Sequence, residues 1–264
     1  MKFDSNKGAA WLKDVTAALP GFDKALETAT SDILIIGAGV FDIYYAQGWI
    51  PQFKRKTGDL DLSVGLVSGQ GDYDALKRGF LKAGYVNRDF PYRYAPSREI
   101  PGAIAYIDLL AHSGDDDVSD AQARAAMGVG EDFSLAGMGF ASKVRLQITP
   151  RIYCPNPLAM VLLKMTSYRD NPTKRIKDLA DIAELGWGLV EKGQHFEMKS
   201  LWMALAGTKE AQQVRRMLLD LSGGVSVEWD LDDARRELLA RNFTDEEVET
   251  AIPAHLKEWI DFLS

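Results

Sequence analysis

The run Ile33-Leu-Ile-Ile36 leads directly into Gly37-Ala-Gly39 and then Val40-Phe-Asp42. Four apolar, mostly β-branched residues are too short a run for a helix and read as a buried strand. The glycines after them permit a tight turn with closely approachable backbone. Val40 to Gln47 reads as the helix that follows. The chain therefore opens into strand–turn–helix structure, and everything before residue 150 has to accommodate it.

The neighbouring segments extend this pattern. Residues 7–29 read as two short helices broken at Pro20-Gly21. A polar connection carrying Lys54-Arg-Lys56 leads to a second strand, Asp59 to Val67. Tyr73 to Ala83 has helical spacing (Leu76, Phe80, Leu81) and stops at Gly84. Tyr85–Tyr94 and Ala103–Ala111 read as strands, with Pro91, Pro96 and Pro101 at edges or turns. Gly114-Asp-Asp-Asp117 reads as loop. Two further strands are expected at 144–148 and 151–154. The texture then changes. Asn156-Pro157 is a helix start, and Leu158, Val161, Leu162 and Met165 form an apolar stripe. Helices are expected at 173–191, 197–205, 208–221, 231–241 and 244–262, the last broken at Pro253. Residues 1–153 are thus expected to form an α/β domain, and 154–264 an all-helical domain.

Composition limits what such a chain does. It has 264 residues, 46% hydrophobic and 26% charged, a globular balance. Cys154 is its only cysteine, which excludes an intrachain disulfide and a cysteine-built zinc site. A reducing cytoplasm is the expected compartment. The N-terminus lacks the apolar core of a signal peptide, and no apolar run reaches the roughly 20 residues of a membrane helix. Net charge is -7, mildly unfavourable for a polyanionic partner. Lys143, Arg145, Arg151, Lys164, Arg169, Lys174, Arg175 and Lys177 nevertheless cluster against Asp170 alone. Such a segment fits a local phosphate site.

The glycine turn and the acids of KTGDLDLSVGL also admit a dinucleotide-binding reading, hence an NAD(P) oxidoreductase. Two features oppose it. Asp42 stands where the third glycine belongs and would repel a pyrophosphate at that helix end. The acids also open their strand rather than close it, since Leu60, Leu62, Val64 and Leu66 follow them. Residues two apart on a strand share a face, so Asp59 and Asp61 project together while Leu60 and Leu62 face the core. Alone, two acids at a strand end are ordinary. Asp108, however, lies in the apolar run Ala103-Ile-Ala-Tyr-Ile-Asp-Leu-Leu-Ala, where a carboxylate is costly unless paired or metal-bound. If that strand neighbours Asp59–Val67, three carboxylates converge. Oxygen ligands in that number suit Mg²⁺, and two such ions support phosphoryl chemistry.

Gly37-Ala-Gly39, then Lys56-Thr-Gly-Asp-Leu-Asp61 and a third acidic strand, resemble the DNA polymerase β-type nucleotidyltransferase superfamily. Lys164-Met-Thr-Ser-Tyr-Arg169 resembles the K-x-x-[ST]-x-R element of AbiEii/MenA-like toxin nucleotidyltransferases. Arg175-Ile-Lys-Asp-Leu-Ala-Asp181 is similar to their R-x-K-D-x-x-D helix. Order and spacing correspond over about residues 30–190. The resemblance implies an α+β fold: a nucleotidyltransferase-like mixed sheet with flanking helices, then the helical domain. It implies Asp59, Asp61 and Asp108 as catalytic metal ligands for Mg²⁺, with Asp108 also helping to activate an acceptor hydroxyl. The turn Gly37, Ala38, Gly39 would meet the phosphates of a nucleoside triphosphate, with Lys56 and Thr57. Lys164, helped by Ser167 or Thr166 and Arg169, would offset phosphate charge, and Arg175, Lys177, Asp178 and Asp181 would line the same cleft. Two departures are visible. Relatives carry Gly-Gly or Gly-Ser at the turn, and often Arg at the position of Lys56, where lysine lacks the bidentate fork.

The expected activity is transfer of a nucleoside monophosphate from the triphosphate to an acceptor hydroxyl, releasing pyrophosphate. Toxin relatives imply tRNA ends as acceptor and an antitoxin protein as partner. Antibiotic or protein modification, or a non-catalytic nucleotide-binding role, are the alternatives. Each motif also has a plainer reading. Lys174–Asp178 can be a solvated helix face, Lys164 a snorkelling residue, and Trp187, Trp202 and Trp229 core. His112 lies near enough in sequence to approach Asp108, and His195 and His255 look superficial.

Overall fold

A computed structural model describes residues 1–53, 58–66, 71–98, 104–113, 119–222, 231–251, 254 and 257. The chain divides into two compact units. One comprises Phe3–Ala46 and Lys56–Asn156, and the other Met1–Lys2, Gln47–Arg55 and Pro157–Ser264.

The first unit is a mixed seven-stranded sheet with helices. Its strands are β1 (Ile33–Ile36), β2 (Asp59–Leu66), β3 (Tyr85–Arg88), β4 (Phe90–Pro96), β5 (Tyr106–Ser113), β6 (Arg145–Thr149) and β7 (Ile152–Pro155), in the order β3-β4-β5-β2-β1-β7-β6. Its helices are α1 (Ser5–Ala18), α2 (Phe22–Leu26), α3 (Gly39–Gln47), α4 (Gly71–Lys82), α5 (Asp120–Met127) and α6 (Met138–Lys143). The central pair β5-β2 is lined with Leu60, Leu62, Val64, Ile107, Leu109 and Ala111, all essentially inaccessible to solvent. Helix α4 covers them with Tyr73, Leu76 and Phe80, and the Tyr73 hydroxyl donates to the Leu109 carbonyl at 2.9 Å. Leu81, expected on that apolar stripe, is exposed.

Strands β1 and β2 are antiparallel, pairing Ile33 with Val64 and Ile36 with Asp61. A dinucleotide-binding unit requires those two strands to be parallel across a crossover helix. The oxidoreductase reading therefore fails at the sheet. The strand expected over Tyr85–Tyr94 is a hairpin instead. Asp89 takes a left-handed φ of 51, which a short polar side chain tolerates, and β4 folds back antiparallel on β3. Helix α5 went unread in the sequence, although its start carries a capping box in which Ser119 and Gln122 bond reciprocally.

In the second unit the described elements are helices: α7 (Pro157–Asp170), α8 (Pro172–Glu191), α9 (His195–Leu205), α10 (Lys209–Ser222) and α11 (Leu231–Ala240), then a π-helical turn, Glu247–Ala251. The unit begins at Pro157, past the boundary expected at 154, because β7 takes in the fully buried Cys154 and the Pro155 carbonyl accepts from the Tyr44 hydroxyl. Residues 47–55 also belong to this unit. There Trp49, Ile50 and Phe53 are buried, Ile50 and Pro51 lie against Gly188 of α8, and Phe53 lies under the Arg241 guanidinium. Trp202 is fully buried and belongs to the core, whereas Trp187 is half-buried and packs edge-on against Phe243; Trp229 lies outside the described residues.

Candidate metal centre on the sheet

β2 and β5 run parallel with Asp61 directly opposite Asp108 and Asp59 opposite Tyr106. The carboxylates of Asp59, Asp61 and Asp108 offer ligand oxygens that all lie within 4.8 Å of one another. Local physics places them there. Leu60 and Leu62 are drawn into the core, and strand alternation turns Asp59 and Asp61 to the opposite face. Asp108 is held by the same alternation between the buried Ile107 and Leu109.

Gly37 closes this cluster from β1. Its φ of 70 is left-handed, and a Cβ built on it would stand 1.7 Å from Asp61 Oδ2. Only a glycine lets the turn and this carboxylate occupy their positions. Gly39 has no such constraint: its nearest neighbours would be Leu60 Cδ1 at 3.4 Å and Trp11 at 3.7 Å. Ala38 is buried in the same turn, Gly39 begins α3, and Asp42 lies in that helix's first turn. Lys56 and Thr57 lie outside the described residues.

The sequence did not reveal Arg93. It stands on β4 opposite Asp108 and forks onto it, Nε to Oδ1 at 2.7 Å and one terminal nitrogen to Oδ2 at 2.6 Å. The rings of Tyr106 and Phe90 lie 4.9 and 5.3 Å from its guanidinium carbon. The hydrogen bonds to Asp108, with its charge and that of Asp59, hold Arg93 protonated still more firmly than usual. The pairing offsets part of the cost of a carboxylate in an apolar strand. It became visible only once β4 was known to neighbour β5.

These residues fit a divalent cation. Every donor is a carboxylate oxygen, which suits a hard ion. Arg93 uses one acceptor direction on each oxygen of Asp108, and a carboxylate oxygen has a second. Three carboxylates with one guanidinium leave two formal negative charges.

His112 does not approach the cluster. It stands four residues beyond Asp108 on β5, about 13 Å away at the usual strand rise. Its Nδ1 shares a 2.8 Å hydrogen bond with the buried Ser63 hydroxyl, and burial, with the charge of Arg145, lowers its pKa to about 4. Its Nε2 has no hydrogen-bond partner among the described residues. The side chain of His195, and His255, lie outside the description.

The remaining predicted residues belong to the helical unit, where Lys164, Ser167, Arg175, Asp178 and Asp181 form a second assembly while Arg169 stands apart from it. The Lys164 ammonium on α7 donates to Asp178 at 2.8 Å and to Asp181 at 2.7 Å, both on α8. Asp181 and Glu184 accept from Arg241 at 2.9 and 3.0 Å, and Glu237 accepts from the same guanidinium at 2.9 Å. Lys164, Asp178, Asp181, Glu184 and Arg241 are all buried. Burial pulls the Lys164 pKa down, and the charges of Asp181 and Asp178 more than restore it, so the ammonium is held above its usual range. Two of the three donors of this ammonium are thus committed to carboxylates. Arg175 donates to Ser167 at 2.5 Å and lies 3.0 Å from Asp178, where α8 departs from helical geometry. Arg169 is exposed beside Asp170, Thr166 bonds back to the Leu162 carbonyl at 2.7 Å, and Lys177 is half-buried on α8. Arg241 also escaped the sequence reading.

No described helix is long and apolar enough to cross a membrane. No protein-family model, curated protein or solved structure matches the chain.

Proposed function

We propose that the chain is a Mg²⁺-dependent nucleotidyltransferase, with the sheet unit as its nucleotidyltransferase-like domain and the helical unit as its partner domain. The observation that carries the reading is the convergence of Asp59, Asp61 and Asp108 within 4.8 Å, beside a turn whose glycine is sterically obligatory. A metal ion held there would offset charge on a triphosphate and on an attacking oxygen. Asp59, Asp61 and Asp108 would hold it. The Gly37–Gly39 turn would present backbone to the phosphates. Arg93 fixes the direction of Asp108. Asp108 would assist loss of the acceptor proton, with pyrophosphate leaving from the α-phosphorus. Lys164 and its network are not needed for this reading, which rests on the sheet unit.

The test is incubation with each α-labelled nucleoside triphosphate, Mg²⁺, and cellular RNA, protein or small hydroxylated acceptors in separate reactions. Label should enter one acceptor pool, and that pool identifies the acceptor. Asp59→Asn and Asp61→Asn should each reduce transfer by about a hundredfold or more, since each removes an anionic ligand. Label remaining in free nucleotide with every pool would overturn the proposal. Label transferred equally by the Asn variants would overturn the assignment of the site.

A further inference from the structure

We infer that Arg93 is a resident counter-cation of the carboxylate trio: it competes with a divalent ion for Asp108 and thereby sets the affinity of the site. The inference rests on reading the trio as a divalent-cation site. It adds a residue that works through Asp108, a positioning residue rather than a catalytic one.

Three observations carry it. The register of β4 on β5 sets Arg93 opposite Asp108, so the pairing is built into the sheet rather than chosen by a loose surface chain. Both carboxylate oxygens are occupied, at 2.7 and 2.6 Å, in the planar fork that arginine alone supplies. The guanidinium is flanked by the rings of Tyr106 and Phe90, and Tyr106 is the strand neighbour of Asp59. The cation is thus held at the cluster from two sides, with its side chain 21% exposed and that of Asp108 9%. Screening by water is partial there.

Two roles for such an arginine predict opposite signs. If Arg93 merely stabilises a costly buried acid, removing it disorders Asp108 and weakens ion binding. If it is a competing counter-cation, removing it strengthens ion binding. A unit charge removed from within a few ångströms of a divalent ion is worth roughly tenfold in affinity even at the dielectric constant of water.

Titration of the full chain with Mn²⁺, followed by calorimetry, separates these roles. Arg93→Gln should bind Mn²⁺ about tenfold more tightly than wild type. Arg93→Lys, which keeps the charge, should stay within about threefold. Asp61→Asn should bind far more weakly. A second measurement needs no variant that removes the charge. In wild-type protein, the Arg93 Nε–H resonance, identified by its absence from Arg93→Lys, should shift as Mg²⁺ saturates the site. A folded Arg93→Gln that binds Mn²⁺ equally or less tightly overturns the inference and leaves the proposed function standing if Asp61→Asn still loses the ion. If Arg93→Gln does not fold, an Nε–H signal indifferent to saturating Mg²⁺ overturns it. Absence of binding in both wild type and Arg93→Gln overturns the metal site and the inference together.

Discussion

Gly37 carries two constraints at once, and they make a sharp prediction. Alanine there would hold a left-handed φ, costing about 1–2 kcal/mol, and would drive a methyl into the Asp61 carboxylate. Gly37→Ala should lower unfolding free energy in urea by at least about 2 kcal/mol and weaken divalent-ion binding. Gly39→Ala should stay within about 0.5 kcal/mol of wild type, because its Cβ would meet only ordinary contacts. His112 predicts a pH effect. Its pKa falls from the ordinary 6.5 to about 4 on folding, so the unfolded chain binds the extra proton between those values. The contribution is fully present above pH 6.5 and is lost as pH falls toward 4, about 3 kcal/mol in all. Urea midpoints of wild type should drop across that window, and those of His112→Asn should drop less. Arg93 was illegible in the sequence for a reason at this same scale. An arginine between two tyrosines looks like any solvated strand residue until the partner strand is known.

At the level of elements, most of the sheet unit was readable because periodicity and punctuation agreed. Ile33–Ile36, Asp59–Leu66 and the helix after Pro157 fall where apolar spacing, glycine and proline place them. The β3–β4 hairpin was missed because its turn, Asn87-Arg-Asp89, contains no glycine; Asp89 accepts the left-handed conformation. The α7–α8 assembly was missed for another reason. Lys164, Asp178 and Asp181 were legible as a charged set, but sequence spacing does not say whether such a set faces water or another helix. Here it faces inward, and Arg241 from α11 completes it. Lys164→Met would leave two buried acids short of a cation, and should cost about 3–5 kcal/mol. The folded ammonium is held above its ordinary 10.5, so its contribution is present in full below 10.5 and lost only as pH rises through the folded value. The cost of Lys164→Met, measured by denaturant unfolding, should therefore be the same at pH 7 and pH 9.

For the whole molecule, the sequence reading divides the chain once, at 153/154, whereas its two compact units interleave, residues 47–55 grouping with 157–264. The two charged assemblies lie in different units, and that is open to measurement. An ion bound at 100 times its Kd stabilises by about 2.7 kcal/mol. Where the two assemblies act independently, Mg²⁺ raises the stability of Lys164→Met by the same increment as wild type, since effects at independent sites add. A smaller increment in the variant, read by calorimetry, would mean that the two assemblies are coupled. Residues 47–55 carry a different consequence. They pack with Gly188 and Arg241 of the helical unit but are encoded between α3 and β2 of the sheet unit. Neither unit is therefore a portable module. A gene truncated at codon 156 would strand Ile50 and Phe53 without the helices they bury against, and a gene starting at codon 157 would leave those helices with an open seam. A cut at either place divides a set of residues that pack together, so the two units must be engineered together.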